Sequence, residues 1–240
     1  MLAGAIVLIF AVHPVHVESV SWISGSPDLL LGVFLLASLL MVDFYLEKKK
    51  SLLFALSLLF YAVALGAKEV AILFPLIVFA LTWKEENSSL KGSIKISAPF
   101  IVLATVYFFL RLLVLGQISQ ASVDAPGFGS TLLSAPSVFA FYIRQIVFPL
   151  WLGPSYSLRP VTFENIGFVN FILPLVVSAV CLYGLVRFGW RSHVGRIGLA
   201  VFLLLLPAMN LTAFVSEQLT HDRYLYLPLL GILCAFGKSA

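Results

Sequence analysis

Apolar runs leave this chain no water-facing surface to fold behind. Residues 52–83 carry no charge except Lys68-Glu69, and as one helix they would reach roughly 48 Å, too long for a single crossing of a bilayer core about 30 Å thick. They are read as a tight hairpin with Lys68-Glu69 at its tip. Similar runs fall at about 1–12, 29–46, 96–115, 136–152, 167–187, 197–213 and 224–237. Composition agrees: 61% of residues are hydrophobic and 11% charged, against about 25% charged in soluble domains. The expected fold is all-α, a polytopic transmembrane helix bundle.

Basic clusters orient the runs, because Lys and Arg collect in cytoplasmic loops. They occur at Lys48-Lys49-Lys50, at Lys84, Lys91 and Lys95, at Arg187, Arg191 and Arg196, and at Lys238. These clusters share one side only if one run fails to cross. The segment 134–153 fits that role, since Arg144-Gln145 sits at its centre and a charge at mid-membrane costs about 2.5–3.5 kcal/mol on insertion scales. About eight crossing helices result, plus one interfacial or re-entrant helix. A crossing helix with Arg144 facing a polar cavity is the alternative. Because the basic excess follows this topology, it gives no reason to expect nucleic acid. Cys181 and Cys234 lie in apolar runs and read as packing residues.

The unusual polar groups gather on the other, extracytoplasmic face. Residues 13–28 place His13, His16, Glu18, Asp28, four serines and a tryptophan between two apolar runs. Ionisable groups in such a position mark a functional site. Glu18 and Asp28 are candidates for a general base or for holding a hydroxyl, and His13 or His16 for bonding a leaving oxygen. A structural role for at least one histidine is the competing reading. His13 and His16 are three apart but lack the sustained helix that presents metal ligands, so no metal site is expected.

Three cations belong to the same face. Lys68 either caps its turn by pairing with Glu69 or aims at an anionic ligand. Arg111 lies about one turn from the end of its helix, where snorkelling to headgroups is the plain alternative. Arg223 follows His221 and Asp222, and Tyr224 and Tyr226 beyond it suit an interfacial aromatic belt. Together Lys68, Arg111 and Arg223 suit a phosphate held at headgroup level. Asn87-Ser-Ser and Asn210-Leu-Thr match a glycosylation pattern by chance: one falls on the cytoplasmic side, the other within a span. No P-loop, dinucleotide-binding glycines, nucleophile elbow or internal repeat is present.

Three ordered segments, HPVHVESVSWISGSPDLLLGVFLLA, GAKEVAILFPLIVFA and HDRYLYLPLLG, resemble the transmembrane and tetratricopeptide-repeat O-mannosyltransferases and their bacterial relatives, in the GT-C class of glycosyltransferases. The resemblance covers almost the whole chain. It implies transfer of a sugar, typically mannose, from a polyprenyl-phosphate donor to a Ser/Thr hydroxyl of a protein. The lipid-linked donor is a co-substrate, and no other cofactor is implied. Position by position, Lys68-Glu69 and Arg223 match polar family positions, and His13, His16, Glu18 and Asp28 match its outer-loop motif, with Glu18 and Asp28 as supporting catalytic candidates. A lipid-phosphate donor fits the cation set of Lys68, Arg111 and Arg223, with His221 and Asp222 beside Arg223 in the polar site.

Departures accompany the resemblance. Ser26 stands where the family carries Arg, and Pro154-Ser155 where an acid precedes Tyr156-Ser157. The opening run is short of the ~20 residues that cross a bilayer. Residues 1–240 are therefore expected to be one transmembrane domain, truncated at both ends. The leading helix, a first outer loop with the main catalytic acid, and the C-terminal repeats would lie outside it, and the piece alone is expected to be inactive. The compact loops favour a bacterial inner membrane over an endoplasmic one. A transporter or flippase of a lipid-linked or anionic solute, and a non-catalytic membrane scaffold, are the competing readings.

Overall fold

The computed structural model describes residues 2–83, 90–116, 126–153, 156, 158–209 and 220–236. Lys84, Asn87, Pro154-Ser155, Asn210 and Lys238 lie outside the described residues. The described residues are mostly helical, and among them the extended pairing is one isolated antiparallel bridge, Tyr156 to Thr220. The helices are α1 (Leu2–Val12), α2 (Val17–Ser21), α3 (Ser26–Lys48), α4 (Ser51–Ala67), α5 (Phe74–Thr82), α6 (Leu90–Leu115), α7 (Phe128–Val147), α8 (Leu173–Gly189), α9 (His193–Phe202) and α10 (Tyr226–Phe236).

Among the described residues, three helical segments are long and apolar enough to cross a membrane: Ile23–Lys48, Leu90–Leu115 and Phe168–Gly189. A fourth candidate is the pair Ala3–Val12 and Pro14–Ser21, bent by 49°. The bend sits where Pro14 opens a short 3-10 turn, Pro14–His16, because proline cannot continue the preceding ladder of hydrogen bonds. Large apolar side chains stay uncovered along these segments, including Leu113 and Val114 of α6 and Val176 and Val180 of α8. An uncovered face of this kind suits lipid contact.

Local chemistry sets the helix ends. Pro27 occupies the first turn of α3 with Asp28 beside it, where a carboxylate complements the helix dipole. Lys49 then closes α3 in the left-handed conformation, φ 55°, and Ser51 starts α4, so the two helices pack along their length. Ser38 Oγ donates to the Ser57 carbonyl across that pair at 2.7 Å. The turn at Lys68-Glu69 is not a simple hairpin. Lys68 is extended, Glu69–Leu73 form a 3-10 turn, and α5 packs mainly on α6 and α9.

Two apolar clusters form the core. One joins α3, α4, α5 and α6 around the rings of Tyr61, Phe74 and Phe100. The other joins α7, α8 and α10 around Tyr142, Phe202 and Leu229. α9 and α10 link the two by direct backbone contact at Gly198 and Gly231. A Cβ on Gly198 would sit 2.5 Å from the Gly231 carbonyl oxygen, and small residues are what permit such close approach between membrane helices. Within α7, Val138, Phe139, Phe141, Tyr142 and Gln145 are buried while Arg144 is exposed, so the residue that looked central to a span lies on the outer side of an amphipathic helix.

Candidate functional site

Asp28 lies in the first turn of α3, Lys68 directly follows α4, and Arg223 lies in the 3-10 turn Asp222–Leu225 that leads into α10. These three points meet at one end of the bundle, and Lys48 lies at the far end of α3, about 30 Å away along the helix. Lys68 Nζ is 2.5 Å from Asp28 Oδ1 and 4.7 Å from the centre of the Tyr224 ring. The Arg223 guanidinium is 5.3 Å from the same ring and 5.1 Å from the Trp22 ring. Tyr224 therefore gathers both cations, each attracted to the electron-rich ring without being neutralised by it.

Glu18 is the deepest charge in the cluster, its side chain 4% exposed. Its Oε2 accepts the Arg223 backbone N–H at 3.0 Å, and its Oε1 lies 3.5 Å from His221 Nδ1 and 3.7 Å from Arg223 Nε. The carboxylate thus clamps the loop that carries Arg223. Lys68 and Glu69 do not pair with each other. Glu69 turns outward to Arg111, 3.7 Å away, with side chains 56% and 33% exposed, and Arg111 Nη1 also reaches the Tyr107 hydroxyl at 3.4 Å. A surface pair of this kind adds little stability. Lys68 and Arg223 come together, then, while Arg111 stands on the flank.

Both histidines of the first loop are built into the scaffold. His13 Nδ1 accepts the Val15 N–H at 3.2 Å, which leaves Nε2 to donate to the Ile146 carbonyl at 3.0 Å. The loop is thereby tied to the end of α7. His16 is buried between the rings of Phe10 and Tyr226, at 4.6 and 4.8 Å.

Asp222 anchors a second set of bonds. Its carboxylate accepts from the Tyr156 hydroxyl at 2.5 Å, Gln145 Nε2 at 3.0 Å and the Gly153 N–H at 3.3 Å. Burial pushes the Asp222 carboxyl above the usual carboxylate range, against the pull of its three donors. Burial, and next the bond to Asp222, push the Tyr156 hydroxyl up as well, so Tyr156 is the donor. The folded state holds the Asp222 proton where the unfolded chain has released it, so stability falls as pH rises from about 4 until Asp222 is fully ionised. Asp222→Asn is expected to flatten that limb, measured by thermal melts between about pH 4 and 7. An unchanged slope would assign it to another group.

Sequence reasoning passed over Trp22, Gln145 and Tyr156, and took Tyr224 for a belt residue. The available signals were the position of Trp22 within the polar loop and that of Gln145 beside Arg144.

A helical membrane-protein bundle with a buried cluster of paired acids and cations at one end is what the fold and the site define. Along its length the chain is similar to a protein O-mannosyl-transferase of Caenorhabditis elegans, 25% identical over 241 residues that cover 95% of this chain and 33% of that protein. The chain thus spans about a third of the length of the curated relative it matches. No protein-family profile matches it, and no solved structure does.

Proposed function

We propose that this chain is the membrane-embedded part of a glycosyltransferase that moves a sugar, mannose by resemblance, from a polyprenyl-phosphate donor to a protein hydroxyl on the extracytoplasmic side. The observation that carries the reading is the placement of Lys68 and Arg223 around one tyrosine, beside two carboxylates. Cations fixed in advance in a water-poor site stabilise the charge that develops on a departing phosphate. Arg111 contributes from the flank, and Glu18 and Asp28 support an acid expected from another part of the full-length protein. His221 and Asp222 position Arg223, while His13, His16 and Glu69 shape the surroundings.

A lipid-borne donor also suits an apolar cavity of about 300 Å³ between α5 and α6, lined by Ile72, Pro75, Ile101, Ala104 and Phe108. Phe108 precedes Arg111 by three residues, which places them on adjoining turns of one helix face. An isoprenoid chain in this cavity would bring its phosphate to the charged end. In this reading the shorter apolar helices Ser51–Ala67, Glu69–Thr82 and His193–Met209 add to the three long spans, toward about eight crossings in a GT-C-like bundle, with α7 interfacial. The repeats implied by the resemblance would follow it, and the compact loops favour a bacterial inner membrane.

In the full-length protein, Lys68→Gln and Arg223→Gln are each expected to lower transfer from polyprenyl-phosphate mannose about 100-fold or more, on the scale of losing one fixed donor at a developing oxyanion. Both variants should purify as monodisperse protein. Wild-type transfer by both would remove the phosphate-binding assignment. Uptake of a lipid-linked solute into proteoliposomes without covalent product would move the protein to the transporters.

A further inference from the structure

The two carboxylates of the cluster are held very differently. Glu18 is fixed by a backbone N–H, by His221 and by the Arg223 guanidinium. Asp28 has one side-chain partner among the described residues, Lys68. Lys68 in turn has a second anchor that carries no charge, the Tyr224 ring. Two acids face two cations, so the cluster is balanced before any anion arrives. A phosphate entering beside Lys68 adds negative charge, and one carboxylate must give way. Asp28 is the one with a single bond to lose, and its side chain is 9% exposed against 4% for Glu18. Lys68 need not travel, because the ring keeps it in place.

We propose that Asp28 is a built-in competitor for the phosphate site. It holds Lys68 until a phosphate displaces it, and the displacement frees its carboxylate to accept a hydrogen bond from the hydroxyl that will receive the sugar. Binding of the donor then prepares the site for the acceptor, and the donor binds first. The inference rests on the donor-phosphate reading of Lys68, and the following experiment separates the two.

Binding of inorganic phosphate and of farnesyl phosphate is measured on the full-length protein in nanodiscs. Asp28→Asn is expected to tighten phosphate binding about tenfold, toward the low end of what a close, desolvated charge pair is worth, while slowing transfer. Asp28→Glu keeps the competitor and should stay within about twofold of wild type. Tightening with farnesyl phosphate alone assigns the site to a lipid-borne phosphate, and tightening with both assigns it to the phosphate group itself. Equal or weaker phosphate binding by Asp28→Asn overturns the competitor, even where wild-type protein transfers sugar. Tighter binding with no transfer by wild type keeps the exchange and removes the glycosyltransferase reading. Should Asp28→Asn yield no folded protein, isotope-edited infrared spectra of wild type decide. An aspartate carboxylate band must move when phosphate is added, and a silent band overturns the proposal.

Discussion

Glu18→Ala is expected to destabilise the protein by about 3–5 kcal/mol, the range for stripping one partner from a buried charge pair. The change leaves the Arg223 backbone N–H without its acceptor and removes the carboxylate that lies beside the half-buried Arg223 guanidinium and the buried His221 ring. Arg223 is 18% exposed at its side chain, so water offers little replacement. The first loop and the turn before α10 should separate, and the melting temperature in detergent should fall by about 6–20 °C, at roughly 2–4 °C per kcal/mol in a domain of this size. Glu18→Gln keeps an oxygen for the N–H and loses the charge, and it should cost about half as much. If Glu18→Ala melted with wild type, the clamp would contribute nothing to stability and Glu18 would have to be read as a purely chemical residue.

Gly198→Leu should be at least as damaging, at about 3 kcal/mol or more, because the overlap is with backbone. A Cβ at Gly198 would meet the Gly231 carbonyl oxygen at 2.5 Å and the Ala235 nitrogen at 2.6 Å, and the reciprocal Cβ at Gly231 would meet the Gly198 oxygen at 2.6 Å. Neither helix can yield by a rotamer change. α9 and α10 would have to part, splitting the two apolar clusters they join. Gly184 on α8 is the control: a Cβ there has nothing within 4 Å, and Gly184→Ala should be neutral or stabilising by up to about 1 kcal/mol. The fraction of monodisperse protein after heating reads both variants. Equal survival of Gly198→Leu and Gly184→Ala would show that α9 and α10 do not touch as described.

Much of the fold was legible in the chain because lipid imposes a coarse rule. A segment long and apolar enough to span must be helical to satisfy its own backbone, and the runs near 29–46, 96–115 and 167–187 coincide with the three long spans. Pro14 breaks the first helix and Ser26-Pro27-Asp28 opens α3, both by local chemistry that proline and a first-turn carboxylate carry wherever they occur. The break at Lys68-Glu69 was legible from run length, whereas the local Lys68–Glu69 ion pair, one of the two roles the sequence left open, does not form. Two partners from elsewhere take them instead, Asp28 and Arg111.

The cluster shows where reading the chain stops. By itself the sequence determined a helical membrane protein and named the residues that cost most to bury, since composition, run length and misplaced charge are local properties. Only the tertiary structure decided their partners. Glu18 and Arg223 are 205 positions apart, Gln145 and Asp222 are 77 apart, and no periodicity links them. The physical reason is the low dielectric of the bundle: an ionisable group there must find a partner, and which partner it finds depends on the helix ends that packing brings together. The loop at 13–28 is therefore half of a charged cluster whose other half arrives with Lys68 and the turn before α10.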